Sequence, residues 1–508
     1  MMRRSRWATR LLAFCALAGG AQVMGCFPFD FSESTGGGTG TGGTGGEEPP
    51  PPGCIPSTNQ QPVGNECGVF VSAAAAGGGN GTKEKPFQSF AQAIDALAMA
   101  DDKRIYACAE GFTEVVEMPG GIDIYGGLEC TNGWRYVGGT KKTELTAAAD
   151  KIPLTMFGGS GTSRIEDLHV RAAAAVAAGG SSIAMVADDV EVAFARSTLE
   201  AQDAMDGANG GNFSTQAQAG AIGSPGGAAC SANTVLGGDE TVNQCSPEVE
   251  SVGGPGGQGS SSSASPGAPG TPGAAMNGGA GETATTPCMP GGDGDDGMPG
   301  PSGAGAQGVG SIARAGFTGT RGADGMPGTP GQGGGGGGGS RGGTIGTGKC
   351  TMSNSDGGAS GGSGGSGGCG GAGGKGGSAG GSSIALVSLG ATLTFDTVTL
   401  KAGRAGSGGT GGQGQVGGSG GTGGTGGSNT GHPGLNPGCS GGNGGKGGTG
   451  GTGGGGSGGH SLGIAHNATA PSTEGATIQT GAAGLGGVGA GAAGKGADGV
   501  KENTHQFP

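Results

Sequence analysis

The sequence predicts an all-β fold in which short strands stack as the coils of one parallel β-helix, behind an N-terminal capping helix. Three observations support this prediction. Strand-like runs follow one another after residue 100 with no second helix between them, apolar segments recur far apart along the chain, and each recurrence runs into glycine-rich sequence. Long glycine-rich insertions, either polyglycine II-like or disordered, are expected to interrupt the stack.

The capping helix is predicted over residues 86–100, where apolar residues recur at helical spacing and Pro86 suits a first turn. Its apolar face would consist of Phe87, Phe90, Ala91, Ile94, Leu97 and Ala98. Short runs bounded by glycine or polar turn residues predict strands at 105–109, 115–118, 122–125, 143–146 and 165–171.

An internal repeat carries the stacking hypothesis. Residues 182–186 (SIAMV) return at 383–387 (SIALV), 201 residues later, and Phe194 then matches Phe395 without a gap. A weaker third copy lies at 461–480. Repeats this short bury their apolar side chains only by stacking on neighbours, so we expect the copies to lie on one ladder. The intervening chain is long for a loop, and must either fold by itself or be disordered.

These features divide the chain into consecutive segments. They are a signal peptide (1–25), a lipid-attached Gly/Pro tether (26–53), a β-helix domain (54–206), a Gly-rich insertion (207–381), a repeat coil (382–404), a second Gly-rich insertion (405–459), and a last repeat coil with a Gly-rich tail (460–508).

The N-terminus has the composition of a bacterial export signal. Arginines precede a short apolar stretch at 11–17, and the ending VMGC resembles a lipobox, which implies that Cys26 receives a lipid. Met24 departs from the small residue usual in a lipobox, so a plain secretory signal is the alternative. Phe27 after the cysteine indicates the outer membrane. The glycines and prolines that follow would hold a folded body away from the membrane surface.

Cysteine usage agrees with export, because an even number of cysteines in an oxidising compartment indicates disulfides. With Cys15 in the signal and Cys26 lipidated, ten of the twelve cysteines remain. The sequence leaves their connectivity open. Nearest-neighbour pairing would give Cys54–Cys67, Cys108–Cys130, Cys230–Cys245, Cys288–Cys350 and Cys369–Cys439. A metal site among them lacks a C-x-x-C pair or a nearby histidine.

Part of the chain resembles a known family. Gly81-Thr82 before a Pro-Phe pair, Ala93-Ile94 in the helix, and Gly-Gly after the 122–125 run resemble bacterial pectin-lyase-like right-handed β-helix domains, over roughly residues 68–205. The Gly-Gly-x triplets at 361–378 resemble those of mycobacterial PGRS proteins and of glycine-rich surface lipoproteins common in myxobacteria. These resemblances imply a right-handed coil sense and a surface location.

The glycine blocks leave two structures open. Glycine makes up 137 of 508 residues, and a period of three suits a layer of polyglycine II helices. The competing interpretation is a flexible Gly/Ser-type coil. Residues 291–296 (GGDGDD) match the start of a calcium-binding β-roll repeat, but a single copy supplies too few oxygen ligands. We therefore expect no metal and no cofactor.

Charge and acid placement bear on function. The net charge of −13 becomes −17 without residues 1–25, which argues against nucleic-acid binding. The acidic groups at 166–167 and 188–191 are adjacent on strands and would face opposite sides, so we expect solvated turn acids and no catalytic residue. His460 and His466 are expected in exposed loops.

The sequence thus predicts a non-enzymatic surface lipoprotein, structural or interacting, that contacts the membrane through its lipid. Its further partner would be a surface polysaccharide or protein, and no small-molecule substrate is expected. The alternatives are a carbohydrate-active β-helix protein (a polysaccharide lyase, hydrolase or binder) and a protein that binds a repeating lattice through flat polyglycine II faces.

Overall fold

The structure, a computed structural model, describes residues 52–59, 61–100, 103–273, 276–343, 350 and 355–508. The fold is mostly β, as predicted, and most strands belong to three parallel sheets. The predicted signal peptide, Cys26 and nearly all of the tether lie outside the described residues.

Up to residue 201 the described part of the chain contains two short α-helices and thirteen short strands, most of them paired in parallel. The helices are α1 (Pro56–Asn59) and α2 (Phe90–Leu97). The strands are β1 (Val69–Val71), β2 (Arg104–Cys108), β3 (Gly111–Thr113), β4 (Val116–Gly120), β5 (Asp123–Glu129), β6 (Arg135–Tyr136), β7 (Thr143–Thr146), β8 (Leu154–Gly159), β9 (Thr162–Glu166), β10 (Leu168–Arg171), β11 (Ser182–Asp188), β12 (Glu191–Ala195) and β13 (Thr198–Ala201).

The remaining strands alternate with glycine-rich sequence. The small antiparallel pairs use β14 (Thr234–Val235), β15 (Thr241–Ser246), β16 (Val249–Gly253), β17 (Gly259–Ser260), β18 (Ser311–Ala313) and β19 (Gly316–Thr318). The parallel sheets resume with β20 (Ser383–Leu389), β21 (Thr392–Asp396), β22 (Val398–Ala402), β23 (Ser461–His466), β24 (Ala476–Gln479) and β25 (Lys501–Gln506).

The chain visits the three sheets in a constant order. The first sheet runs β1-β2-β5-β9-β12-β21, the second β3-β7-β10-β13-β22-β24, and the third β4-β8-β11-β20-β23-β25. From β3 to β13 the chain passes from the second sheet to the third and then the first, and each pass adds a parallel strand beside the previous one. The result is a stack of similar coils.

The predicted register of the repeat is confirmed. Ile183 lies beside Ile384 in the pairing of β11 with β20, and Phe194 lies beside Phe395 in the pairing of β12 with β21. The two phenyl rings stack with their centroids 5.7 Å apart. The third copy follows, with Leu462 beside Ile384. Strands separated by about 200 residues are therefore direct neighbours.

Stacking buries continuous rows of apolar side chains inside the coils. The row of the third sheet consists of Val116, Leu154, Met185, Leu386 and Ile464, which are all nearly inaccessible to solvent. Burying a side chain of this size contributes about 1.5–3 kcal/mol. Each coil needs the next one to cover its row, as the repeat predicts.

The capping helix is real but shorter than the predicted 86–100. Ser89 ends the extended segment and accepts a hydrogen bond from the N–H of Gln92, so α2 begins at Phe90. Phe90 packs edge-on against a core phenylalanine and covers the end of the stack. The predicted apolar face is wrong at Ala91 and Ala98, which are exposed.

Two strand predictions also need correction. The run predicted at 165–171 is two strands, because Asp167 adopts φ 53° and turns the chain between β9 and β10. Strand β25 was not predicted, because its sequence KENTHQ has no apolar alternation, yet it pairs in parallel with β23.

The glycine-rich segments are ordered. We call them the glycine lattice: residues 204–230, 254–258, 265–273, 276–310, 320–343, 355–382, 403–460 and 480–500. At its centre, consecutive N–H groups of Gly364, Gly365 and Ser366 donate to three different neighbouring segments, at 2.8, 3.0 and 3.0 Å. The pattern repeats every third residue, as polyglycine II requires. In the described residues this hydrogen bonding favours the polyglycine II alternative over a flexible coil.

The lattice also continues the strand ladder, whereas the sequence predicted excursions away from it. Beyond β13, the N–H of Ala204 donates to Arg404 O at 2.8 Å and that of Gly207 to Ser407 O at 2.8 Å. The first insertion therefore leaves the coil without a break in hydrogen bonding. Its length is tolerated because many backbone groups of its described residues form hydrogen bonds with neighbouring lattice segments.

Candidate functional site

The first acidic pair considered for catalysis is an ion cluster. The guanidinium of Arg196 lies 2.6 Å from the Glu166 carboxylate and 2.9 Å from that of Asp167. The carboxylate side chains are 9% and 2% exposed. Adjacent residues converge on one partner because Asp167 turns the chain at its positive φ, so the expectation of opposite-facing, solvated acids is wrong here. Arg196, also at positive φ, was missed by sequence reasoning.

This cluster is already saturated. Burial opposes charge on Arg196, but the hydrogen bonds and charge of Asp167, joined by Glu166, outweigh it and raise the pKa of the guanidinium. The Tyr136 hydroxyl donates to Asp167 at 3.1 Å, and burial raises the pKa of that phenol. With both carboxylates engaged by the same cation, neither is placed as a general acid or base.

In the second acidic group, Asp188 is similarly engaged by an arginine, whereas Asp189 and Glu191 are exposed, as expected of solvated turn acids. The carboxylate of Asp188 forms an ion pair of 2.6 Å with Arg314, which lies in the turn between β18 and β19. Arg314 also lies over the ring of Phe157, 4.5 Å from its centroid. Asp189 adopts φ 54° directly after β11, in the short connection to β12. These contacts hold the β18–β19 hairpin against the coils.

The motif at residues 291–296, which resembles a calcium-binding repeat, forms hydrogen bonds within the glycine lattice. Asp293 and Asp296 each accept a backbone N–H through Oδ1, from Asn443 and Lys446, both at 2.7 Å. Among the described residues, no group of three or more histidine, cysteine, aspartate or glutamate side chains is arranged to hold a metal ion. The two aspartates are thus explained as links between neighbouring segments.

Both candidate histidines are buried, which corrects the expectation of exposed loops. His460 is 2% exposed: its Nδ1 accepts the N–H of Val500 at 3.0 Å, and its Nε2 lies 2.7 Å from Val309 O. His466 is 4% exposed on β23, with Nδ1 2.8 Å from Ala468 O. Backbone groups therefore occupy the ring nitrogens that a metal would need on His460.

All ten candidate cysteines form disulfides. The first two follow nearest-neighbour pairing, Cys54–Cys67 and Cys108–Cys130. The pairing is wrong for the other six, which form Cys230–Cys350, Cys245–Cys369 and Cys288–Cys439. These three span 120, 124 and 151 residues, because the lattice brings segments together that are distant in sequence.

A row of acidic and amide side chains runs along the lattice surface; we call it the Asx ladder. Its members are Asp203, Asp206, Asn209 and Asn212, one at every third position. Each Oδ1 accepts the backbone N–H of the residue 201 positions later, at 2.7, 2.7, 2.9 and 2.7 Å. The period of three is visible in the sequence, but it acquires a meaning only once the facing segment is known.

The asparagine half of this ladder borders a groove of about 520 Å³, which we call the amide groove. It is lined by Asn209, Gly210, Asn212, Thr410, Gly411, Gln413, Thr452, Val488, Gly489 and Ala490. No charged side chain lines it. Its volume lies in the range of small-molecule and chain-binding clefts, and its walls are amides, hydroxyls and backbone.

No helix in the described part of the chain is long and apolar enough to cross a bilayer. No protein-family model, curated protein or solved structure matches the chain. Function must therefore be inferred from its own residues.

Proposed function

We propose that this protein is a non-enzymatic structural or interaction lipoprotein of the bacterial envelope, exported and anchored in the outer membrane through a lipid on Cys26. The ending VMGC, followed by a Gly/Pro tether, supports the anchor. The five disulfides agree with an oxidising compartment. The resemblance to PGRS-like glycine-rich surface lipoproteins points the same way.

One observation carries the structural role: the described interior of the lattice consists of closely packed backbone segments, bonded to one another directly and through small buried side chains. The hydroxyls of Ser360, Ser363 and Ser366 are fully buried, and each accepts a neighbouring N–H at 2.7 Å. Such a close-packed arrangement favours binding at the outer surface over binding inside the lattice, as expected of a scaffold.

The coils are proposed to form a right-handed parallel β-helix. The constant order in which the chain visits three parallel sheets supports a solenoid, and right-handed connections between parallel strands are strongly favoured. The resemblance of residues 68–205 to pectin-lyase-like domains adds to this. A crystal structure showing left-handed coils would contradict it.

The anchor is tested by fractionation. Full-length protein expressed in a bacterial host should enter the membrane fraction and incorporate labelled fatty acid, whereas Cys26→Ser should do neither. Cys15→Ser is the matched control, because this cysteine lies within the segment expected to be removed. Membrane association of Cys26→Ser equal to that of wild type would contradict the proposal.

The alternative of a polysaccharide lyase or hydrolase has a separate test. Glu166 and Asp188 are each held by an arginine at 2.6 Å, which favours structural roles. We expect no release of reducing or unsaturated ends from a panel of polysaccharides. Turnover that is abolished by Glu166→Gln or Asp188→Asn, with the fold retained, would establish the enzyme instead.

A further inference from the structure

The side-chain amide nitrogens of Asn209 and Asn212 are not used in the hydrogen bonds of the Asx ladder. Asp203 and Asp206 also bind the facing segment, because the Oδ1 atom of each accepts a backbone N–H at 2.7 Å. A carboxylate therefore suffices for the bond. Asparagine changes the second atom, because a neutral nitrogen with two N–H donors replaces a charged oxygen acceptor.

The orientation of these two amides is determined by the ladder. A backbone N–H can bond only to the amide oxygen, so the bonds from Thr410 and Gln413 fix Oδ1 inward. Within the described residues, neither Nδ2 has a hydrogen-bond partner, and both side chains are exposed. Each amide thus leaves two N–H donors unpaired on a side chain that lines the groove, and its ladder bond reduces the rotamer entropy left to lose on binding.

The remaining lining suits a neutral ligand. Gln413, Thr410 and Thr452 add amide and hydroxyl groups, and Val488, 62% exposed, offers an apolar surface. Three residues of a threefold extended helix span about 9 Å, so the two anchored amides are spaced on the scale of a disaccharide. An anionic chain would find no cation in this lining, and a cationic chain would find no carboxylate.

We propose that the amide groove binds an extended neutral polysaccharide, whose hydroxyl and ether oxygens accept hydrogen bonds from Asn209 and Asn212. This inference rests on the proposed surface location, which exposes the lattice to such polymers. The apolar side chain of Val488 would contact the C–H face of a sugar ring.

The test compares two double variants of the full chain. Asn209→Asp/Asn212→Asp keeps both ladder oxygens but replaces the donors with charged acceptors. Asp203→Asn/Asp206→Asn makes the opposite change on the same ladder outside the groove. The probes are dextran, a linear β-glucan and a galactomannan, with anionic polygalacturonate and cationic chitosan as comparators, measured by biolayer interferometry.

We expect wild type and Asp203→Asn/Asp206→Asn to bind at least one neutral polysaccharide with equal affinity. Asn209→Asp/Asn212→Asp should bind about 10- to 100-fold more weakly, as the loss of two neutral hydrogen bonds implies. Unchanged melting temperatures would show that the fold is retained. Wild-type binding to none of the neutral polymers, binding only to a charged one, or equal binding by both double variants would overturn the inference.

The proposed function can fail separately. If the wild type is in the membrane fraction but binds no neutral polysaccharide, only the groove assignment falls. If it binds the polysaccharide but Cys26→Ser fractionates like wild type, only the lipid anchor falls.

Discussion

His460 links the last coil to the β18–β19 hairpin through a ring that must stay neutral. Nδ1 accepts the N–H of Val500 at 3.0 Å, and a protonated Nδ1 could not. The ring stacks on His505, with centroids 5.8 Å apart, and Phe317 and Phe507 lie against it edge-on. Burial, with the nearby His505, lowers the pKa of His460, and Val309 O together with Glu502 only partly opposes this.

This depressed pKa predicts a pH-dependent stability. Above about pH 6.5, where histidine is neutral in the unfolded chain as well, His460 causes no pH dependence. Below that value the unfolded state takes up the proton first, so stability is lost as the pH falls toward the lower folded pKa. Strand β25 should therefore be less protected from amide hydrogen exchange, relative to the intrinsic exchange rate at each pH, at pH 5.5 than at pH 7.5.

Hydrogen exchange followed by mass spectrometry on residues 501–506 measures this effect. His460→Gln should reduce the difference that remains between the two pH values after correction for intrinsic exchange. His432→Gln, a loop histidine outside this cluster, should leave it unchanged. Equal pH dependence in all three proteins would exclude His460 as the cause.

At the scale of the element, the lattice depends on close approach of backbones. A Cβ on Gly364 would lie 1.9 Å from the carbonyl oxygen of Gly334, whereas a Cβ on Gly211 would meet nothing within 4 Å. Both glycines lie in lattice segments. A substitution at Gly364 therefore tests the close packing of the backbones, and the same substitution at Gly211 is the matched control.

Gly364→Ala should therefore destabilise the protein by about 1–3 kcal/mol or more, because the clash is with backbone and the neighbouring segment must move. Gly211→Ala should stay within about 0.5 kcal/mol of wild type. Calorimetric melting of the two variants decides the matter. A Gly364→Ala protein that melts with wild type would mean that the segments are not closely packed in solution.

The same contrast explains which elements could be predicted from sequence. Strand pairing of the repeats was predictable because Ile183, Phe194 and their counterparts keep one offset and must all face a core. The helix is shorter than predicted because Ser89 caps its first turn, so that it begins at Phe90. Strand β25 was not predicted because its sequence, KENTHQ, has no apolar periodicity. The triplets indicated polyglycine II, but not which segments are neighbours, because two residues in three have no side chain to distinguish partners.

The candidate site follows the same division. Glu166 and Asp167 were recognised from sequence, but their partner Arg196 was not, since only the positive φ at Asp167 brings both acids to it. The amide groove was missed entirely. Asn209 and Asn212 bond to residues 201 positions later in the chain. The sequence does not identify these partners, because the non-glycine residue of each triplet carries no signal for which segment it faces.

For the whole molecule, the long-range disulfides hold the lattice segments together. Closing a loop of about 100 residues contributes about 4.7 kcal/mol in the chain-entropy model, against about 3 kcal/mol for 15 residues. The Cys245–Cys369 bridge closes 124 residues and Cys54–Cys67 closes 13. Cys245→Ser/Cys369→Ser should therefore lower the melting temperature more than Cys54→Ser/Cys67→Ser, as measured by calorimetry. The reverse order would show that unfolded-chain entropy does not govern these bridges.

The second insertion leaves the coil at residue 403 and returns at 460 as two antiparallel arms. Gly441 donates to Gly424 and Gly444 to Gly421, and the pattern continues down to the bond from Gly459 to Gly406. Lengthening or shortening both arms by one matched triplet at their tip preserves the hydrogen bonds that remain between the arms. Deleting a single residue turns side chains inward along an entire arm. We therefore expect tolerated insertions and deletions in this region to come in multiples of six residues, three in each arm. Such changes would leave the strands on either side of the insertion in their positions.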